Sequence, residues 1–140
     1  MNKEELFKSS AASVGVELND TQIQQFIKYH EILVEWNSFM NLTGITEYEE
    51  VVQKHFVDSL ALCKSIDVSK VESLRDIGTG AGFPGVPLKI LNENNKIVFA
   101  NFCRQRLCPL CQRRRSLRVF SGFCRVLEQL SEFKFLHLVL

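Results

Sequence analysis

Residues 76–88 read Asp76-Ile-Gly-Thr-Gly-Ala-Gly-Phe-Pro-Gly-Val-Pro-Leu88, with four glycines inside eight positions. The residues before Gly78 favour a short strand, and Pro84 and Pro87 suit the first turn of a helix. Glycine adopts the positive φ angles that such a turn needs, and without a Cβ it lets a ligand approach the backbone. The stretch therefore predicts a strand, loop and helix that open a nucleotide-shaped site in an α/β sheet.

Two glycine patterns overlap in this loop. Gly80-x-Gly82-x-x-Gly85 fits the dinucleotide fingerprint, whereas Asp76-x-Gly78-x-Gly80-x-Gly82 fits the loop that holds S-adenosylmethionine (SAM) in methyltransferases. A glycine pattern by itself is weak evidence, and a glycine-rich surface turn is the plain alternative.

Three upstream motifs narrow the choice. They are Glu35-Trp36-Asn37, Asn41-Leu42-Thr43 and His55-Phe56-Val57-Asp58-Ser59. Together with the glycine stretch they resemble the bacterial family of small-subunit ribosomal RNA guanine-N7 methyltransferases, also called glucose-inhibited division protein B. The resemblance covers roughly residues 1–98. It implies a SAM-dependent methyltransferase fold and small-subunit (16S) rRNA as the substrate.

The candidate cofactor-binding residues are Asp76, Gly78, Gly80, Gly82 and Phe83. Of these, Gly78 and Phe83 match the positions that contact the cofactor in the family that the chain resembles. Phe83 could instead be an ordinary core residue, because pockets and cores are both apolar. Asp76 could face the amino group of the cofactor, or it could simply hold the loop.

Asn41, His55 and Asp58 are candidates for the substrate side of the site. The alternative for His55 and Asp58 is a surface pair on one helical turn, which contributes little. Asn41 could equally serve a cap or turn. We name no catalytic acid or base, because guanine N7 has a free lone pair and no proton, so that alignment of the reactants supplies much of the rate.

The pattern of apolar residues predicts a helical N-terminal part. A helix is expected over residues 3–14, and Asn19 with Gln22 forms a capping box for a second helix. One face of that helix carries, at helical spacing, Ile23, Phe26, Ile27, His30, Leu33 and Val34. Residues 37–43 break the pattern. Thr46 with Glu49 predicts a further capping box, and the apolar stripe continues through Val52, Phe56, Leu60 and Cys63.

The predicted fold class is α/β, with N-terminal helices and a truncated Rossmann-like sheet. A strand near Leu74, a helix at about 86–91 and a strand at Lys96–Ala100 would form a βαβ unit. This gives three parts: residues 1–70 are helical, residues 71–99 begin the methyltransferase core, and residues 100–140 form a foreign, basic, Cys- and Arg-rich segment.

Charge and cysteine content support that last boundary. Residues 1–99 carry nine Lys/Arg and 14 Asp/Glu, a net charge of −5, whereas residues 100–140 carry eight Lys/Arg and two Asp/Glu, a net charge of +6.

The last segment resembles part of the rolling-circle plasmid replication (Rep) proteins. Cys103, Cys108 and Cys111 are spaced like an incomplete zinc site. The alternative function is therefore a zinc- or nucleic-acid-binding replication-protein fragment fused to a methyltransferase N-terminus.

The sequence lacks the carboxylate that usually contacts the ribose of such a cofactor. A carboxylate usually follows the second strand, about 20 residues after the loop. Asn101 falls near that position, and the sequence has no Asp or Glu between Glu93 and Glu128. We therefore expect weak SAM binding and an impaired enzyme.

Size and hydropathy give the remaining expectations. With 140 residues, 46% hydrophobic and 24% charged, the chain has the size of one domain. It has no apolar run of the roughly 18 residues that a membrane span needs, and its polar start does not suit a signal peptide. We expect a cytoplasmic protein that has no membrane partner and is a monomer.

Overall fold

The computed structural model describes residues 2–78 and 80–100. Within them the α-helices are α1 (Lys3–Ser13), α2 (Asp20–Met40), α3 (Tyr48–Val51), α4 (Asp58–Leu60) and α5 (Gly85–Leu91), and the strands are β1 (Ser73–Ile77) and β2 (Lys96–Ala100). A π-helical stretch, Val52–Val57, joins α3 to α4, and 3₁₀ turns follow at Ala61–Lys64 and Val68–Lys70.

Helix α2 begins where the sequence predicts. The Asn19 side chain accepts a hydrogen bond from the Gln22 backbone N–H at 2.8 Å, and the Gln22 side chain accepts one from the Asn19 N–H at 3.0 Å. This reciprocal pair satisfies two donors that a helix start leaves without partners. The capping box is confirmed.

The end of α2 differs from the prediction. The helix continues through Asn37 to Met40 and ends at Asn41, whose φ of +49° is left-handed. Ser38 and Asn37 fit the last turns because their side chains bond to nearby backbone: the Ser38 hydroxyl donates to the Glu35 carbonyl, and Asn37 Oδ1 accepts from the Thr43 N–H. These bonds give the two polar side chains partners within and just beyond the last turns of α2.

The predicted capping box at Thr46 and Glu49 is wrong. Helix α3 starts at Tyr48, Glu47 takes the cap position, and its side chain makes no capping hydrogen bond. The Thr46 carbonyl instead lies 2.9 Å from His30 Nε2, a contact with α2 that fixes this residue outside the helix.

Aromatic rings fill the space between the helices. Phe7, Phe26 and Phe56 are fully buried, and their ring centroids lie 4.7 to 5.7 Å apart. The apolar face of α2 is confirmed at Ile23, Phe26 and Leu33, whereas Val34 is exposed. Tyr29 and Ile32, which the predicted stripe leaves out, are buried in its place.

Strands β1 and β2 pair in parallel, from Ser73 opposite Lys96 to Ile77 opposite Ala100. The β2 bounds agree with the prediction, and α5 begins one residue earlier than predicted. Leu74 packs against the core and Asp76 is buried, while alternate side chains of β1 face outward and Ile77 is 67% exposed. The described fold is thus a group of helices with a small parallel sheet.

Side-chain hydrogen bonds join α5 to its surroundings. The Gln22 side-chain amide donates to the Ile90 and Leu91 carbonyls, each at 3.3 Å. The buried Lys89 ammonium donates to the Glu93 and Asn95 carbonyls at 2.5 and 2.6 Å. These bonds satisfy carbonyls at and beyond the end of α5, where the intrahelical ladder stops.

No helix in the described part of the chain has both the length and the apolar character to cross a membrane. The division into residues 1–70, 71–99 and 100–140 stays a prediction, and residues 101–140 lie outside the description.

Candidate functional site: the glycine loop and its supports

The loop between β1 and α5 has a backbone that only glycine adopts readily. Gly78, Gly80 and Gly82 have φ angles of +76°, +57° and +108°. A Cβ added at Gly78 or Gly80 would meet no atom within 4 Å, so the positive φ, rather than crowding, is what requires glycine there. Both residues are exposed, whereas Gly82 is buried. The loop therefore presents bare backbone on its outer side.

Asp76 closes the base of this loop. Its carboxylate is buried, with 6% of the residue exposed, and Oδ2 accepts a hydrogen bond from the Gly85 N–H at 2.9 Å. The bond joins the end of β1 to the first residue of α5. The loop-holding role foreseen for Asp76 is thus present in the structure.

Tyr29 holds the middle of the loop from α2. Its side chain is fully buried, and its hydroxyl donates to the Ala81 carbonyl at 2.9 Å. Burial, and secondarily the charge of Asp76, raise the pKa of Tyr29 well above its usual range. The hydroxyl therefore stays protonated and keeps its role as a donor.

The sequence prediction did not include Tyr29. The signal for it was present, because residues 26, 29 and 33 have the spacing of one helix face. Periodicity can place such a residue in the core, but it cannot identify the carbonyl that the hydroxyl bonds.

Phe83 lies among aromatic rings at the end of the loop. Its ring centroid is 4.7 Å from that of His55 with the planes 20° apart, 5.4 Å from Tyr29 and 6.0 Å from Phe56. The side chain is half-buried. The structure thus brings together Phe83, predicted for the cofactor, and His55, predicted for the substrate side.

His55 lies within the π-helical stretch Val52–Val57, a conformation that often occurs at functional sites. Its Nε2 is 2.9 Å from the Thr43 hydroxyl oxygen, which also accepts from the Ile45 N–H at 3.1 Å. Desolvation lowers the pKa of His55, against smaller opposing effects that include the charge of Asp58. The lowered pKa favours the neutral form of the ring.

Asn41 and Asp58 lie at the border of this arrangement. Asn41 is exposed at the left-handed end of α2, two residues before Thr43, and Asp58 is exposed at the start of α4, three residues after His55. The contacts that join His55 to Phe83 involve neither of them. Their role in substrate binding stays a prediction.

Within residues 2–78 and 80–100, no three His, Cys, Asp or Glu side chains are grouped so that they could hold a metal ion. Cys103, Cys108 and Cys111 lie outside the described residues, as does Asn101. Zinc binding therefore stays a prediction without structural support.

Comparison with known proteins gives one consistent result. A family model described as rRNA small subunit methyltransferase G matches residues 22–109. Proteins named ribosomal RNA small subunit methyltransferase G from Lachnoclostridium phytofermentans, Exiguobacterium sibiricum and Clostridium botulinum (strain Loch Maree) are 49%, 45% and 43% identical to the chain over 107, 107 and 102 residues.

These alignments cover 76%, 76% and 73% of the chain and 44%, 44% and 43% of the relatives. The chain thus spans a little under half the length of the curated relatives that it matches. The family match ends at residue 109, and it gives no support to the resemblance to replication proteins.

Proposed function

The chain belongs to the rRNA small subunit methyltransferase G family, and we propose that it contains the SAM-binding part of a methyltransferase. In this proposal the enzyme transfers the methyl group to guanine N7 in small-subunit rRNA. The βαβ unit would be the first part of a Rossmann-like sheet. The observation that carries the proposal is the glycine loop, which follows the first strand and is held in one shape by Asp76 and Tyr29. We further propose that the chain acts in the cytoplasm as a monomer.

The residues of the loop suit the binding of SAM. Gly78 and Gly80 offer exposed backbone with open space where a Cβ would stand. Phe83 offers a half-buried apolar surface next to that backbone, and ligand sites combine such surfaces with a few polar groups. In this proposal Asp76, Gly78, Gly80, Gly82 and Phe83 form the cofactor site. Gly82, being buried, would contribute its backbone angle rather than a contact surface.

The methyl transfer requires that the two reactants be oriented, and it requires no proton transfer by the protein. Bound SAM supplies a methyl group on a positively charged sulfur. Guanine N7 has a lone pair and no proton, so no residue of the chain needs to act as a base. The protein then contributes by bringing the two reactants together in line.

The substrate side would include His55, with Asn41 and Asp58 nearby. A neutral His55 ring stacked on Phe83 places no positive charge beside a cationic methyl donor. A protonated ring beside a bound sulfonium would repel its positive charge. A neutral His55 ring is therefore compatible with a bound cationic methyl donor, and we propose that it shapes the site.

We propose that SAM binding is weak in this chain, because an amide at Asn101 replaces the expected carboxylate. Calorimetric titration of the wild type and of Asn101→Asp would test this idea. Tighter binding by the variant is expected. A wild-type dissociation constant in the low micromolar range would contradict the proposal.

The reaction itself can be tested with SAM that carries a labelled methyl group. Small ribosomal subunits from bacteria that lack N7-methylguanosine would be the substrate, with subunits that already carry the modification as the control. The full-length relative from Lachnoclostridium phytofermentans gives the reference rate. Slow incorporation into guanine N7 of the unmodified subunits is expected. Incorporation no faster than without protein would refute the proposed activity of this chain.

A further inference from the structure

A glycine-rich loop does not specify its own shape. Glycine occupies positive and negative φ with similar ease, and it loses more conformational freedom on folding than any other residue. Three glycines with positive φ within five positions therefore need outside contacts to select one conformation. The value of the loop as a binding surface depends on those contacts.

Two hydrogen bonds within the βαβ unit close the end of the loop. Asp76 accepts from the Gly85 N–H, and the Gly82 carbonyl accepts from the Val86 N–H at 2.8 Å. Both lie at the side where α5 begins. The Tyr29 hydroxyl reaches the middle of the loop, at Ala81, from a helix that lies 52 residues earlier in the sequence.

Ala81 is a sensitive position for such a bond. It lies between Gly80 and Gly82, so rotation about its neighbours would turn its peptide group at little steric cost. Because the carbonyl is bonded to a fully buried hydroxyl, such a rotation would break a hydrogen bond between two groups that are shielded from water. That loss is costly compared with the small preference of glycine for one φ.

We propose that Tyr29 is a positioning residue for the methyl-donor site: its hydroxyl fixes the Ala81 peptide and thereby the exposed backbone of Gly78 and Gly80. Its ring also supports Phe83, at 5.4 Å between centroids. The inference rests on the proposed function for the identity of the ligand. The effect on the shape of the loop does not depend on that identity.

The chain offers a matched control for this proposal. Tyr48 is also buried, and its hydroxyl donates to a backbone carbonyl, that of Lys3, at 3.3 Å. That bond joins α3 to α1 and does not involve the glycine loop. Tyr29→Phe and Tyr48→Phe each remove one hydroxyl and one hydrogen bond to a carbonyl, and they differ in where the bond lies.

Hydrogen exchange measured by mass spectrometry gives the first test. In Tyr29→Phe, exchange in a peptide spanning residues 78–86 should become about five-fold faster, the ratio expected for one typical hydrogen bond, while peptides from α1 keep the wild-type rate. In Tyr48→Phe the loop should exchange as in the wild type. Equal loop exchange in all three proteins, or equal acceleration in both variants, would overturn the proposal.

Calorimetric titration with SAM gives the second test and separates the two hypotheses. If the wild type binds, Tyr29→Phe should weaken binding by about five-fold and Tyr48→Phe should leave it unchanged. If neither the wild type nor Asn101→Asp bound SAM, the proposed methyl-donor site would be refuted, and loop exchange would still decide the role of Tyr29. Unchanged SAM affinity in Tyr29→Phe would refute that role even with a functional site.

Discussion

The helical part of the molecule and its small sheet differ in how well each is covered. Between the helices, Phe7, Phe26 and Phe56 have no exposed surface. In the sheet, Leu74 and Asp76 face the covered side, whereas Ile77 on the other face is 67% exposed. Parallel sheets are normally covered on both faces. Among the described residues, the sheet therefore depends for its cover on the helices that lie on one side of it.

The glycine loop shows what this dependence means for the candidate site. The sheet supplies the loop, but Tyr29 of α2 and His55 of the π-helical stretch supply contacts that give it shape. The site thus lies where the well-packed part of the chain meets the poorly covered part. Substitutions in each part should separate the two contributions.

Removal of a ring from the helical core should have the largest effect. Phe56 lies within 6.0 Å, between centroids, of the rings of Phe7, Phe26, Tyr29 and Phe83. Phe56→Ala should lower the free energy of unfolding by about 3–5 kcal/mol. Leu62→Ala, at a residue that is 40% exposed, should cost less than about 1 kcal/mol. Urea unfolding measures both, and similar losses would show that the core is not concentrated in the aromatic cluster.

Removal of the bond that closes the loop should have the next largest effect. Asp76→Ala leaves the Gly85 N–H without its charged acceptor and should cost about 1.5–3 kcal/mol. Asp20→Ala removes the same group from the exposed first turn of α2, where it pairs with Lys8, and should lower the urea midpoint much less. If Asp76→Ala lowered the midpoint no more than Asp20→Ala, the sheet would not need this bond.

Local sequence chemistry could predict those features that depend on neighbours in the chain. The Asn19 and Gln22 capping box, the strand Lys96–Ala100 and the turn of the glycine loop all follow from residues within a few positions of one another. In these places propensity, capping and glycine freedom agree, and such agreement is what makes a local prediction reliable.

The contacts that shape the site could not be predicted in the same way. Tyr29 reaches Ala81 across 52 residues, and His55 stacks on Phe83, 28 positions later in the chain. Such pairs depend on how the helices pack against the loop, which one sequence does not specify residue by residue. The same reason accounts for Thr46, whose bond to His30 removes it from the predicted cap.

A smaller effect is expected from a side chain at Gly80. Gly80→Ala places a Cβ in open space but keeps a φ of +57°, which costs an L-residue about 1 kcal/mol. Gly44→Ala also meets no atom within 4 Å and has no positive φ, so it should be neutral or slightly stabilising. Urea midpoints of the pair would isolate the cost of the left-handed angle. Equal midpoints would mean that the loop relaxes freely.

The smallest effect should be a pH dependence carried by His55, at the contact between the two parts. The Thr43 hydroxyl, 2.9 Å from His55 Nε2, can donate to that nitrogen only while the ring is neutral, and desolvation also favours the neutral ring. The pKa of His55 lies below 6.5 in the folded chain and near 6.5 in the unfolded chain. Between these two values the unfolded chain binds more protons, so the contribution is complete above about pH 6.5 and is lost as the pH falls through the folded pKa. The difference in urea midpoint between the wild type and His55→Gln should therefore shrink on acidification from pH 7.5 to 5. A difference that stays constant would show that protonation of His55 does not weaken its contact with Thr43.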